Sequence, residues 1–362
     1  MAVQQLSTYN NALKRVYTGP LRNQLNNAHP IVSRLRKNRE DARGDSMTAY
    51  IAAIASRNQG IGWIGEGDTL PTAGKRRYGQ PTVAMAYGYC RVQISGQAIV
   101  GSSNSATRFA SVIDEELDGA VQGLKVNLSK HAYRRGTGAL AKFTGEPDAV
   151  VASTLIKVDD ASCLEEDMVV DSFSTNGNSG GTAGDAGTII SEVDYPNNKI
   201  AFSTNYGAGA EINYFLYQQT TRGKVPMGLE GLVDGYDSAG NVILTTFQGI
   251  GVTAANGSYF LGNVIDNAGA LTDLTLDDLQ KTFELGEYVG GEQCSAIYTT
   301  YALRRKYLNL VAADKRYVNS LKLDGGWSAL EYSGGGEGVP IIADRHCIPN
   351  TMFFLCEKNI QL

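Results

Sequence analysis

Apolar residues recur at helical spacing along one unusually long stretch, residues 107–135. Phe109, Ile113, Leu117, Ala120, Leu124 and Leu128 fall on one stripe of it. Asp114, Glu115, Glu116 and Asp118 crowd its first half. Lys125, Lys130, Arg134 and Arg135 occupy its second, so the charges complement the helix dipole at both ends. Ser105 or Thr107 can cap the start, and Gly136 and Gly138 stop it. The pattern predicts a single spine helix, on the order of 40 Å long at a rise of about 1.5 Å per residue. Its stripe is expected to lie in a core, with Leu117 and Leu124 buried. Gly119 and Gly123 sit one turn apart inside it, each about 1 kcal/mol worse than Ala in a helix interior. Something is therefore expected to pass close to that backbone.

Upstream the pattern changes twice. Residues 1–43 read as a polar arm with helical pieces, broken at Gly19-Pro20 and His29-Pro30. From Thr48 the apolar run YIAAIA leads into a segment with six glycines between Gly60 and Gly79, with Pro71, and with little periodicity. This predicts a long loop or two-stranded flap that returns as a strand through Tyr87–Ile94. A structureless stretch of that length is unusual unless it covers something. Its apolar residues Ile61, Trp63, Ile64 and Leu70 have no obvious place in the chain's own core. Residues 60–65 match GxGxxG, but no amphipathic helix opens after them and Pro71 follows. No acidic residue closes a second strand about twenty positions on, so the match carries no dinucleotide site.

Downstream, residues 147–221 are rich in short β runs and predict a small inserted barrel or sandwich. Residues 188–194 and 199–204 are joined by Tyr195-Pro-Asn-Asn198, a hairpin signal. The Gly/Ser/Asn stretch 174–187 is expected to be a mobile surface loop. From about residue 225 the chain is mixed α/β. Thr275 and Asp278 form a capping box ahead of a helix carrying Leu276, Leu279 and Phe283, and a second helix is expected over Tyr301–Ala313. Strands are expected over 317–323, over 329–332 and on either side of the Pro349-Asn350 turn.

Composition sharpens this picture. Glycine is abundant, at 42 of 362 residues, only 19% of residues are charged, and 19 are Tyr. That suits a chain that hides surface against copies of itself, because interfaces favour Tyr over Lys and Glu. Net charge is −5, which argues against a dedicated reader of nucleic acid. It is uneven, however. Residues 1–43 carry eight basic residues (Lys14, Arg15, Arg22, Arg34, Arg36, Lys37, Arg39, Arg43) against Glu40 and Asp41, a net of +6 that leaves −11 for the rest. A basic arm on an acidic body points to a polyanion or to an acidic neighbour. Five scattered cysteines without metal-ligand spacing are expected to be reduced thiols. No apolar run is long enough for a membrane span.

Catalytic chemistry finds no foothold. The three histidines, His29, His131 and His346, each read as ordinary structural residues. His346 neighbours Cys347, but adjacent strand residues face opposite sides and cannot pair. There is no P-loop, HExxH or CxxC. Residues 234–241 resemble a calcium loop until Tyr236 and Ser238 are found at ligand positions, so a hairpin turn is expected there. The residues assign no enzyme, metal or cofactor site.

The order of parts resembles the major capsid proteins of tailed bacteriophages with the Hong Kong 97-type fold. A basic arm is followed by a glycine-rich flap (SRNQGIG and LPTAG) and a spine helix (FASVIDEELDGAVQGLKVNL). A mixed lobe then closes with GVPIIADRHCIPNTMFFL. The resemblance implies an α+β subunit with an N-terminal arm (1–55), an extended loop over a neighbour (56–96) and a peripheral domain (97–146) holding the spine helix. An inserted β-rich domain (147–221) and an axial domain with returning strands (222–362) would complete it. It implies an icosahedral head shell in the virion, assembled in the host cytoplasm around double-stranded DNA. Its partners would be the chain itself in pentamers and hexamers, a separate scaffolding protein, a portal and, in some members, a decoration protein. The residues so implicated are Ile61, Trp63, Ile64, Leu70 and Lys75 in the flap. In the arm they are Lys14, Arg15, Arg22, Arg34, Arg36, Lys37 and Arg39, meeting DNA or a neighbour. In the helix they are Phe109, Ile113, Leu117, Gly119, Gly123, Leu124 and Leu128. Some members crosslink a flap Lys to a neighbour's Asn, and Lys75 is available, though nothing in the sequence marks a partner. An encapsulin-type compartment shell and a phage surface-binding or adhesion module are the rival readings.

Overall fold

The computed structural model describes residues 29–35, 48–97, 112–145, 154–205, 213–233, 246–251, 262–265, 271–314, 331–332 and 338–360. These are mixed helix and sheet. They fall into two units, one made of residues 1–33 and 87–129, the other of 34–86 and 130–362.

In the smaller unit the long helix is present, and its bounds are Val112–Ala132. The expected start at 107, with Phe109, lies outside the described residues, as does the side chain of Ile113. Two expectations about this helix are corrected. Leu117 and Leu124 are 55% and 41% exposed, and Val121 is exposed beside them, so the stripe is not a core face of this chain. Nor does anything press on the two glycines, since a Cβ at Gly119 or Gly123 would meet no atom within 4 Å. The expected strand Tyr87–Ile94 is also absent. The Tyr87 and Tyr89 rings stack at 6.4 Å, and Gly88 between them lies against Leu124, 3.6 Å from Cδ2 to an added Cβ. Over residues 87–94 Ile94 alone makes a bridge, so no ladder forms there.

The larger unit holds a closed barrel. Six strands, Ala139–Lys142, Phe215–Gln218, Val169–Phe173, Thr188–Asp194, Lys199–Phe202 and Ile156–Lys157, are hydrogen-bonded in that order. A bridge from Phe143 to Val158 joins the first strand to the last. Thr144 N donates to Lys157 O and Asp159 N to Lys142 O across the same seam. Leu140, Phe143, Ile190, Ile200, Phe202 and Leu216 fill the interior. The expected hairpin is there, with Asp194 opposite Lys199 and Asn198 at φ 51°. The sheet begins at Ala139, earlier than the boundary at 147, because Ala139–Lys142 pairs with Phe215–Gln218 and supplies the strand that closes the ring.

The loop 174–187 is not loose, contrary to expectation. Arg222 stacks its guanidinium 3.9 Å from the Phe173 ring centroid and 5.3 Å from that of Tyr217. From there it donates to the carbonyls of Gly177 (2.9 Å) and Gly180 (2.6 Å) and to Thr175 Oγ1 (3.2 Å). The Tyr217 hydroxyl donates to Thr175 O and accepts from Gly177 N. One arginine thus supplies the donors that a glycine-rich segment lacks side chains to provide.

A four-stranded sheet forms the C-terminal lobe. Ala296–Thr299 runs parallel to Val339–Ala343 and antiparallel to Met352–Leu355, with Glu331–Tyr332 on the outer edge. The helix Leu276–Gly290 carries the expected Thr275/Asp278 capping box and buries Leu279 and Phe283. The helix Tyr301–Asp314 buries Tyr307. The expected strand 317–323 and the turn 234–241 lie outside the described residues.

The close backbone approach expected at Gly119 and Gly123 occurs instead where the long helix ends. A Cβ on Gly228 would lie 2.3 Å from His131 O, 2.5 Å from Arg134 O and 2.6 Å from Ala132 O. Gly228 N donates to Arg134 O and Glu230 N to Tyr133 O, satisfying carbonyls that a helix terminus leaves open. Gly136, at φ +84°, turns the chain there, so the helix stops three residues short of Arg135.

Gly228→Ala should therefore cost more than about 3 kcal/mol in urea unfolding, as expected of overpacking against fixed backbone. Gly119→Ala should add up to about 1 kcal/mol, since it meets open space. Separately, Arg222→Ala should leave the barrel folded but open residues 174–187 to limited proteolysis, read as a single new cleavage window by mass spectrometry.

Candidate functional site

The flap is a two-stranded ribbon whose construction follows from its glycines. Thr48–Tyr50 pairs with Thr82–Ala84, and Ala53–Ser56 with Arg77–Gly79, with a register break between Ile54 and Ser56. Beyond this the two chains come too close for side chains. A Cβ on Gly60 would sit 2.4 Å from Gly74 N, and one on Gly74 would sit 2.4 Å from Gly60 N. Asn58 Oδ1 accepts from Gly60 N at 2.8 Å and holds the crossing. The tip is a turn in which Gly65 N donates to Asp68 Oδ2 (2.9 Å) and Asp68 N to Gly65 O (3.2 Å), with Gly67 at φ +87°. At the root, Thr82 N donates to Gln248 O (2.7 Å) in the hairpin Thr246–Gly251, whose turn uses Gln248 at φ 45° and Gly249 at φ 83°.

This ribbon presents its apolar residues to solvent. Ile61, Trp63, Ile64 and Leu70 near the tip are all exposed, Trp63 completely. So are Ile54 and Tyr78, which face each other across the strands. Lys75 is exposed, without the burial that would make an amine nucleophilic. At about 1.5–3 kcal/mol per large apolar side chain, the four tip residues hold roughly 6–12 kcal/mol that the single chain does not realise. Exposed large apolar residues gathered near the tip of a thin arm mark a candidate interaction surface.

The arm residues behave differently. Lys14, Arg15, Arg22, Arg36, Lys37 and Arg39 lie outside the described residues. Arg34 is described and exposed. Its guanidinium is bidentate on Glu357, with Nε to Oε1 at 2.7 Å and Nη2 to Oε2 at 2.9 Å, and the Tyr298 hydroxyl donates to the same carboxylate. Fork geometry of this kind gives a strong, directional pair. The Arg34 guanidinium holds the Glu357 carboxyl below its ordinary value.

Sequence reasoning missed a polar joint where the end of the long helix meets barrel and C-terminal sheet. Lys130 pairs with Glu165 at 3.0 Å and Arg134 with Asp160 at 3.0 Å, both partners on the barrel. Arg134 also donates to Cys163 Sγ at 3.2 Å, and Cys163 Sγ lies 3.8 Å from His346 Nδ1. The Tyr133 hydroxyl donates to Asp344 Oδ2 at 2.8 Å. Burial first, then Asp344, pushes the Tyr133 phenol up, and the same two causes in the same order push up the Cys347 thiol. His346 therefore finds a sulfur, but it belongs to Cys163 on another element and not to its neighbour Cys347. Cys163 and His346 are both buried. All five cysteines are free thiols. Among the described residues no group of three His, Cys, Asp or Glu could hold a metal ion, and no helix is long and apolar enough to cross a membrane.

No family model and no curated protein matches the sequence. The fold is similar to a solved one, the cyanophage A-1(L) capsid asymmetric unit, with a TM-score of 0.50 at 13% identity over 95% of this chain and 76% of that one. At this identity the likeness is one of fold.

Glu357→Gln should lower the thermal midpoint at pH 7. A carboxyl whose folded value is depressed stabilises above its unfolded value and loses that contribution as pH falls through the folded one. The gap between variant and wild type should accordingly narrow as pH drops below 4.5, the ordinary glutamate value. Calorimetry across pH 3–7 would show it.

Proposed function

We propose that this chain is the major capsid protein of a tailed phage, built on the Hong Kong 97-type fold. On this reading it assembles into pentamers and hexamers of an icosahedral head shell that encloses double-stranded DNA. The observation that carries the proposal is the flap. Its exposed Ile61, Trp63, Ile64 and Leu70 sit on a ribbon with no apolar surface of its own to fold onto, and a second copy of the chain supplies one. The exposed stripe Leu117, Val121 and Leu124, with Tyr87 and Tyr89, is a second apolar face of the same kind. Charge supports the match, since Lys75, Arg76 and Arg77 follow the flap tip and Glu115, Glu116 and Asp118 flank the stripe. The capsid subunit of similar fold adds support at the level of architecture.

Magnitudes favour a ring over a pair. Roughly 6–12 kcal/mol of gross burial per flap is comparable to the roughly 4–15 kcal/mol that association costs in lost freedom. One flap contact is marginal, whereas contacts repeated around a closed ring reinforce one another. The role is structural, without catalysis or cofactor. The remaining arm cations, Lys14, Arg15, Arg22, Arg36, Lys37 and Arg39, would meet phosphates without reading sequence. A separate scaffolding protein, a portal and in some assemblies a decoration protein would be the partners, in a virion assembled in the host cytoplasm.

The test is electron microscopy of the purified chain expressed with its genomic neighbours. Wild type should give closed shells. Trp63→Ser combined with Leu70→Ser, and Leu117→Asp combined with Leu124→Asp, should give folded, soluble subunits without shells, because these residues are exposed in the single chain. A wild-type chain that stays monomeric at high concentration, with the flap protected from solvent, would overturn the proposal.

A further inference from the structure

We propose that His131 makes the joint between the end of the long helix and the barrel acid-operated, so that a proton taken up on its imidazole opens that joint. The ring is 1% exposed, and neither nitrogen has a hydrogen-bond partner among the described residues. A buried, unpartnered imidazole is tolerated because it is neutral; a buried imidazolium without an acceptor is not.

The positive charges that act on it disfavour the cation, and the carboxylates of the joint are engaged, Asp159 accepting from Lys142 N and Asp160 N. On its own segment Arg134, just past the helix end, and Lys130 are positive neighbours, and both act against protonation. On the barrel, Glu165 is paired with Lys130 and Asp160 with Arg134, while Cys163 accepts from Arg134. On the turn Leu229–Val233, Glu230 is paired with Arg135 at 3.3 Å. On the C-terminal sheet, Asp344 accepts from the Tyr133 hydroxyl and from His346 N, His346 faces Cys163, and Cys347 is buried. A proton on His131 would place a third positive charge in this group without a free carboxylate to meet it.

Burial first, then Arg134 and Lys130, holds the ring at about 4, against 6.5 when solvated. The sign follows from linkage. The closed joint binds fewer protons than the open one, so closure is strongest above pH 6.5 and weakens as pH falls toward 4. Between pH 7 and 4.5 the open fraction should rise on the order of 50-fold. Glu230 pulls the other way, because burial raises its carboxyl and acid strengthens its side of the contact.

Hydrogen exchange of the full chain, corrected for intrinsic rates, tests this. From pH 7 to 4.5, peptides covering 130–136 and 226–231 should lose protection on the order of 50-fold while barrel strands such as 188–202 hold. In His131→Phe and His131→Leu the same peptides should change less than about five-fold. Equal loss in wild type and variants would overturn the proposal and assign the response to Asp159, Asp160, Glu165, Asp344 or His346. If neither variant folds, the wild-type pH profile decides. Protection that starts to fall near pH 6.5 supports the imidazole, and protection that holds until below about 4.5 overturns it.

Discussion

The end of the long helix is the constraint on which the larger unit depends. A helix terminus leaves its last carbonyls without partners, and burying them unsatisfied costs on the order of 1–3 kcal/mol each. Here Gly228 and Glu230 bring amide donors to those carbonyls, and only a residue without a Cβ can approach so closely. Around the same point Lys130, Tyr133 and Arg134 reach out to Glu165, Asp344 and Asp160. Barrel, C-terminal sheet and helix end are thus tied through six consecutive residues of one segment, 130–135.

That concentration explains which features were legible in the sequence. Elements set by local pattern were readable: the long helix, the Thr275/Asp278 cap, the hairpin around Asn198 and the short β runs of the barrel. Each depends on residues a few positions apart. Partnerships across the chain were not readable, because nothing local marks Arg134 for Asp160, Tyr133 for Asp344, or Arg34 for Glu357. The glycines show the difference most clearly. Gly119 and Gly123 drew attention because they sit in a helix, where glycine is locally unfavourable, yet they face open space. Gly228 lies among ordinary turn residues and is the one the fold requires.

The exposed stripe teaches the same lesson about burial. Helical periodicity shows that Leu117, Leu124 and Leu128 share a face, but not which molecule covers it. In the single chain that face is largely open. The apolar flap residues were recognisable as misplaced because their segment has too few neighbours to bury them. Periodicity and isolation are therefore different signals, and the second carries more information about association.

The closed barrel bears on crowding. An open six-stranded sheet would leave two rows of unpaired backbone groups ready to template a neighbouring chain. The Phe143–Val158 bridge removes both rows. Copies of the chain at high concentration are then spared one route to strand exchange and fibrous misassembly.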